Sequence, residues 1–245
     1  MQALTQGAAA PRISPSIRFQ RLQGASMGFL AGYVDTLGFI ALFGLFTAHV
    51  TGNFVLIAAA AANPAQTPSL LKLLAFPAFI LGVAAARLLV ARCEQQGMAA
   101  IKPTYLLQLV LLLGFMVCGM LAEPLGKSAG TLALIAGLLG AAAMGAHSAA
   151  SKLVLTQLAP TSMMTGNVTQ LVIDTVDRLR GAADAATRAR CAKFFWPVLA
   201  FALGCGAAAF AYLAFGFVAL AVPLAILCLH LWLQQPEGKA QAGKA

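Results

Sequence analysis

Gly32-Tyr33-Val34-Asp35, an apolar helix, then Thr51-Gly52-Asn53: this stretch decides how the chain is read, together with a weaker echo of it further on. The echo runs Gly145-Ala146-His147-Ser148, apolar sequence, then Thr165-Gly166-Asn167. Gly32 and Gly52 are 20 residues apart and Gly145 and Gly166 are 21 apart, so the copies differ by about one insertion. A duplicated apolar unit is expected, one repeat over about 27–122 and the other over about 130–233.

Composition sets the solvent. Hydrophobic residues are 60% of the 245, charged residues 9%, and mean hydropathy is +0.85, where soluble domains carry about 25% charge. The expected fold class is an all-α polytopic membrane protein, since a helix satisfies its own backbone in lipid. The length suffices for six to eight spans of about 20 residues and leaves no room for a sizeable soluble domain. The net charge of +9 lies in short segments flanking apolar runs. Such placement reads as membrane topology, and no nucleic-acid partner is expected. Cys93, Cys118, Cys191, Cys205 and Cys228 are dispersed, odd in number and without metal-ligand spacing, which excludes a disulfide framework and leaves packing as their role.

Residues 1–26 read as a cytoplasmic N-terminal tail and 234–245 as a polar C-terminal tail around one membrane domain, 27–233. The first helix is expected from Met27 to Phe46. The segment from Thr51 to Ala62 is only 12 residues, about 18 Å of helix against a hydrocarbon core of about 30 Å. Spans follow at Leu70 to Ala91, Tyr105 to Ala122 and Gly130 to Ala150. After Pro160 the second TGN helix leaves the apolar region at Asp174, Asp177, Arg178 and Arg180. Two more spans, Phe194 to Leu213 and Phe215 to Leu233, complete the chain, and the spacing Phe79-x-x-Gly82 recurs as Phe201-x-x-Gly204. If all eight segments crossed, as a parallel repeat, Arg92 and Lys102 would fall on the outside. With both TGN helices re-entrant, six cross, Lys72 and Lys127 alone fall outside, and the positive-inside rule is obeyed. Three spans per half make the repeats inverted, an arrangement that recurs in transporters.

The candidate site residues are Asp35, Thr51, Gly52, Asn53, His147, Ser148, Thr165, Gly166 and Asn167. Thr and Asn at a helix start are expected to cap its first N–H groups. At membrane depth that helix end also offers partial positive charge to an anion or polar solute. Asp35 is the acid well inside an apolar run of the first half; placing a carboxylate there costs roughly 2.5–3.5 kcal/mol, so it needs a partner and suits proton coupling or cation binding. His147 and Ser148 fall where the repeat places Val34 and Asp35, and His49 stands close enough to the first TGN to gate it or face solvent. The small-residue clusters Gly137-Leu138-Leu139-Gly140 and Gly204-Cys205-Gly206 fit close helix packing, within the chain or in a homo-oligomer. No catalytic motif, metal set or cofactor fingerprint is present, so neither an enzyme nor a cofactor is expected.

From about Gly24 to Leu233, Gly-Tyr-Val-Asp-Thr-Leu-Gly-Phe followed by Val-Thr-Gly-Asn and, in the second half, Met-Thr-Gly-Asn resembles the YoaK-type family of bacterial membrane proteins, a domain of unknown function. The chain departs from that family's pattern in carrying Gly145-Ala146-His147-Ser148 where Gly-x-Gln-Asn is usual. The resemblance implies a multi-pass inner-membrane protein and brings no activity. The expectation from the residues is a small secondary transporter or channel for a small solute or ion, or else a non-transporting scaffold or regulatory subunit. The lipid bilayer is its first partner.

Overall fold

The computed structural model describes residues 17–63, 70–126 and 129–234, which form helices and turns without strands. Residues 1–16, Lys127 and the tail after 234 lie outside the described residues, so nothing below bears on them. The helices are α1 (Ile17–Ala41), α2 (Gly52–Ala61), α3 (Leu70–Gln95), α4 (Ile101–Ala122), α5 (Thr131–Leu153), α6 (Met164–Leu179), α7 (Ala185–Phe215) and, after a 3-10 turn at Gly216–Leu220, α8 (Ala221–Leu233).

Two expected boundaries are corrected. Residues 17–26, expected in the tail, are the first turns of α1, because no proline or glycine interrupts Ile17 to Gln23 and its arginines, glutamines and leucine are good helix formers. The first helix stops at Ala41 instead of Phe46. Phe43 and Gly44 take positive φ, 55° and 74°, which no continuing right-handed helix allows.

Four stretches are long and apolar enough to cross a membrane: Leu70–Gln95, Ile101–Ala122, Thr131–Leu153 and the 49-residue run Ala185–Leu233 that holds α7 and α8. α1 is not among them, for a physical reason. It carries Gln23, Ser26 and Asp35, yet Met27, Leu30, Val34 and Leu37 are fully buried. A helix wrapped by its neighbours need not be apolar all round.

Backbone contact between glycines and carbonyls joins the helices in pairs. A Cβ on Gly32 of α1 would collide with the carbonyl oxygen of Phe201 on α7, and one on Gly204 of α7 with that of Phe29. Between α3 and α5 the same exchange recurs. A Cβ on Gly145 would collide with the carbonyl of Phe79, and one on Gly82 with that of Ala142. The Phe-x-x-Gly spacing is therefore a backbone device: the Phe carbonyl receives a glycine from the other helix, and the glycine three residues on receives that helix in turn.

The path between the pairs follows from the contacts. Leu42 and Leu45, just beyond α1, and Leu71, at the start of α3, would all meet a Cβ placed on Gly137 near the start of α5. The end of α1 and the starts of α3 and α5 thus share one end of the bundle. At the other end Arg21 of α1, Leu158 after α5 and Lys193 of α7 line one groove. So α1 and α5 run in opposite directions, α1 and α7 in the same direction. The ten-residue α2, about 15 Å long, returns the chain to the end where α1 finished; Phe54 at its start stacks on Phe76 of α3, ring centroids 4.9 Å apart. The described lysines and arginines gather toward the end that holds the start of α1, and Lys72 stands at the opposite one.

The clasps predict a sharp contrast along α7. Gly204→Ala, and likewise Gly145→Ala on α5, should destabilise by about 1–3 kcal/mol, because a backbone carbonyl cannot swing aside as a side chain can. Gly206→Ala, where nothing lies within 4 Å of the added carbon, should be neutral or stabilising by up to about 1 kcal/mol. Thermal unfolding of the purified protein in detergent reads both; equal effects at 204 and 206 would refute the clasp.

Candidate functional site

Past Ala41 the chain turns back on itself and brings residues 47–49 level with Asp35, six residues or about 9 Å from the end of α1. The Asp35 carboxylate organises that return. Its Oδ1 accepts from the backbone N–H of Thr47 (2.8 Å) and of Ala48 (2.7 Å) and from the Thr47 hydroxyl (3.3 Å). Its Oδ2 accepts from Nδ1–H of His49 at 2.6 Å. The buried carboxylate oxygens are thus each supplied with hydrogen-bond donors. His49 differs: its side chain is 37% exposed against 6% for Asp35, and its ring meets Phe201 edge-on at 5.7 Å.

Asn53 acts one turn later and does not cap. The helix start at Thr51 has no side-chain cap. Instead the Asn53 amide pairs with both backbone groups of Phe46, accepting from N–H at 3.0 Å and donating to C=O at 2.8 Å. It is fully buried and closes the loop that Asp35 gathers. The capping expected of the TGN motif is thus replaced by bracing: the residue needs its donor and its acceptor at once, which explains Asn in preference to Asp or Thr.

The second turn repeats the plan with different chemistry. Asn167 donates to the carbonyl of Pro160 at 2.6 Å; Pro160 has no N–H to return the second bond. α6 starts at Met164, again without a side-chain cap. His147 Nε2 shares a hydrogen bond with the Thr161 hydroxyl at 2.7 Å, and Nδ1 one with the Gln108 side-chain amide at 3.1 Å. Ser148 pairs with the Ser162 hydroxyl at 2.9 Å. In both halves a residue of the long helix reaches the returning loop 14 positions on: Asp35 to His49, His147 to Thr161, Ser148 to Ser162.

Of the nine candidate residues, Asp35 and Gly52 line one cleft of about 420 Å³ with His49, Phe46, Phe201 and Cys205. Asn53 braces its wall from behind. Thr51, Thr165 and Gly166 are exposed or nearly so, and His147, Ser148 and Asn167 belong to the second turn and do not line this cleft. The two TGN turns are separate constructions rather than two walls of one central site. Thr47, Thr161, Ser162 and Gln108 carry no local motif, Phe201 carries one that signals helix packing, and only the 14-residue interval between polar positions could have pointed to the loop residues.

Below the second turn, α6 is tied to α7 by a bidentate ion pair. The Arg190 guanidinium donates to both oxygens of buried Asp174, from Nη2 at 2.6 Å and Nε at 2.9 Å, while Gln170 donates to Oδ1. The guanidinium beside Asp174 holds its carboxyl below the ordinary value of 3.8, aided by Gln170 and opposed by burial.

Mostly helical along its described length, apolar, and with polar side chains turned inward at the chain reversals, the chain is a membrane-type helical protein. It belongs to the family described as protein of unknown function DUF1275, whose model matches residues 23–233. No curated protein and no solved structure matches it.

The two asparagines should differ in cost. Asn53→Ala orphans the N–H and C=O of Phe46, at about 1–3 kcal/mol for each group; Asn167→Ala orphans one carbonyl and should cost about half as much. Unfolding temperatures of the two variants in one detergent check the order. For Asp174, the depressed carboxyl makes its stabilisation present above its unfolded value and lost as pH falls through the lower folded one. The unfolding temperature should therefore fall on acidification below about pH 4, and that part of the decline should be absent in Asp174→Asn.

Proposed function

We propose that the protein is a small secondary transporter or channel for a small solute or ion, rather than an enzyme, with the Asp35–His49 pair at its working site. One observation carries this reading: a buried carboxylate and a partly exposed imidazole share a 2.6 Å hydrogen bond on the wall of a cleft that α1, α2 and α7 enclose. Histidine changes charge near neutral pH, so protonation and solute entry would meet at one pair. The site is narrower than the nine residues picked out by motif, because Asn53 and Asn167 are occupied in holding their own loops.

We read the architecture as two inverted repeats of three crossing helices and one short TGN helix each. The opposed directions of α1 and α5, the return of α2 to the end it came from, and the duplicated glycine clasps support it. The pairs α1·α7 and α3·α5 are tightly joined, whereas α1 and α5 touch sparsely, which suits rocking of one unit against the other. The gathered arginines and lysines support a reading with the start of α1 at the cytoplasmic face of a bacterial inner membrane.

A second reading, a non-transporting scaffold or regulatory subunit, is favoured by one specific feature: both buried asparagines are paired within their own loops, and the two turns share no cleft. Reconstitution into liposomes decides between them. The transport reading expects flux of some small solute or ion across a panel, dependent on a pH gradient, with Asp35→Asn and His49→Gln each abolishing the gradient dependence. Flux unaltered in Asp35→Asn would remove the coupling role; no flux across the panel would leave the scaffold.

A further inference from the structure

A second cavity lies away from the Asp35 cleft, at the basic end of the bundle, and plays no part in the proposed transport. It is a groove of about 240 Å³ between the start of α1, the start of α7 and the turn after α5. Arg21 and Lys193 stand at its edge, Gln157 adds an amide, and Leu158, Trp196 and Pro197 form its apolar wall. No carboxylate lines it, and neither Arg21 nor Lys193 has an ion-pair partner among the described residues. Asp174 on α6 is taken up by Arg190.

Two unpaired cations over an apolar wall call for an amphiphile with a negative head. Trp196 is 45% exposed, and an exposed tryptophan beside basic residues at a helix end is the side-chain pair that sits at headgroup level. Basic pockets between helices on that side of a membrane bind acidic headgroups. On the same helix Leu199 and Leu203, three and seven residues beyond Trp196, are exposed, so an acyl chain can run down that face while the head stays between the cations.

We propose that this groove binds an anionic phospholipid, its phosphate between Arg21 and Lys193 and its first acyl carbons against Trp196 and Leu158. The site ties α1 to α7 and the turn after α5 at the leaflet surface. It rests on the membrane reading of the chain and stands or falls independently of transport.

The test uses the full chain, delipidated in detergent, with phosphatidylglycerol and phosphatidylcholine as probes and native mass spectrometry counting the lipids retained. Phosphatidylglycerol should be retained in preference. Arg21→Gln with Lys193→Gln should weaken it roughly 10- to 30-fold, while the charge-matched Arg178→Gln with Arg180→Gln, at the same end but outside the groove, should leave it unchanged. Ala189→Trp, which fills the groove without altering charge, should weaken it too, and it carries the test if the double variant does not fold. Equal retention of the two lipids, equal loss in the control pair, or displacement of the lipid by millimolar inorganic phosphate would each overturn the proposal, the last by making the groove a site for soluble anions.

Discussion

The Asp35 carboxylate and the backbone amides it collects are the constraint on which the rest of the first half depends. A chain leaving α1 at Ala41 carries the N–H groups of Thr47 and Ala48 into a buried reversal, where each needs an acceptor from the protein itself. One carboxylate accepting from Thr47, Ala48 and His49 resolves both problems together: the amides gain an acceptor, and the charge gains its donors. With the loop pinned there, Asn53 fastens its far side to Phe46, and α2 starts inside the bundle. In the second half neutral pairs, His147 with Thr161 and Ser148 with Ser162, hold the equivalent loop. The same backbone path is thus held by a charge in one half and by hydroxyls in the other.

The clasped helix pairs form the frame for these turns. Where glycine lets two backbones touch, dispersion contacts and small-residue packing do what the hydrophobic effect cannot do within lipid. Because each clasp joins a first helix of one half to a third helix of the other, the halves interlock. The cleft wall shows the consequence: Asp35, His49 and Gly52 come from the first half, Phe201 and Cys205 from the second.

Much of this was legible along the chain. Apolar runs marked the membrane-type helices, and the paired TGN motifs marked the reversals, because a carboxylate and an asparagine inside apolar sequence require partners. Other features were not. Gln20 and Gln23 made the first turns of α1 read as tail, since hydropathy counts residues without knowing which are covered. The TGN asparagines resemble helix caps, since a cap and a brace use the same amide. His49 looked like a neighbour of the motif rather than the partner of Asp35, because the pairing crosses a chain reversal.

By itself, then, the sequence determined the solvent, the number and rough extent of the helices and the places where the chain must turn, since each depends on local composition and on polar groups that cannot stay bare in hydrocarbon. Tertiary structure alone decided between the two courses left open for α2, which runs back to the end where α1 finished, and kept the two turns apart as separate sites. Those outcomes depend on which glycine meets which carbonyl across two helices, a relation between residues far apart in the chain.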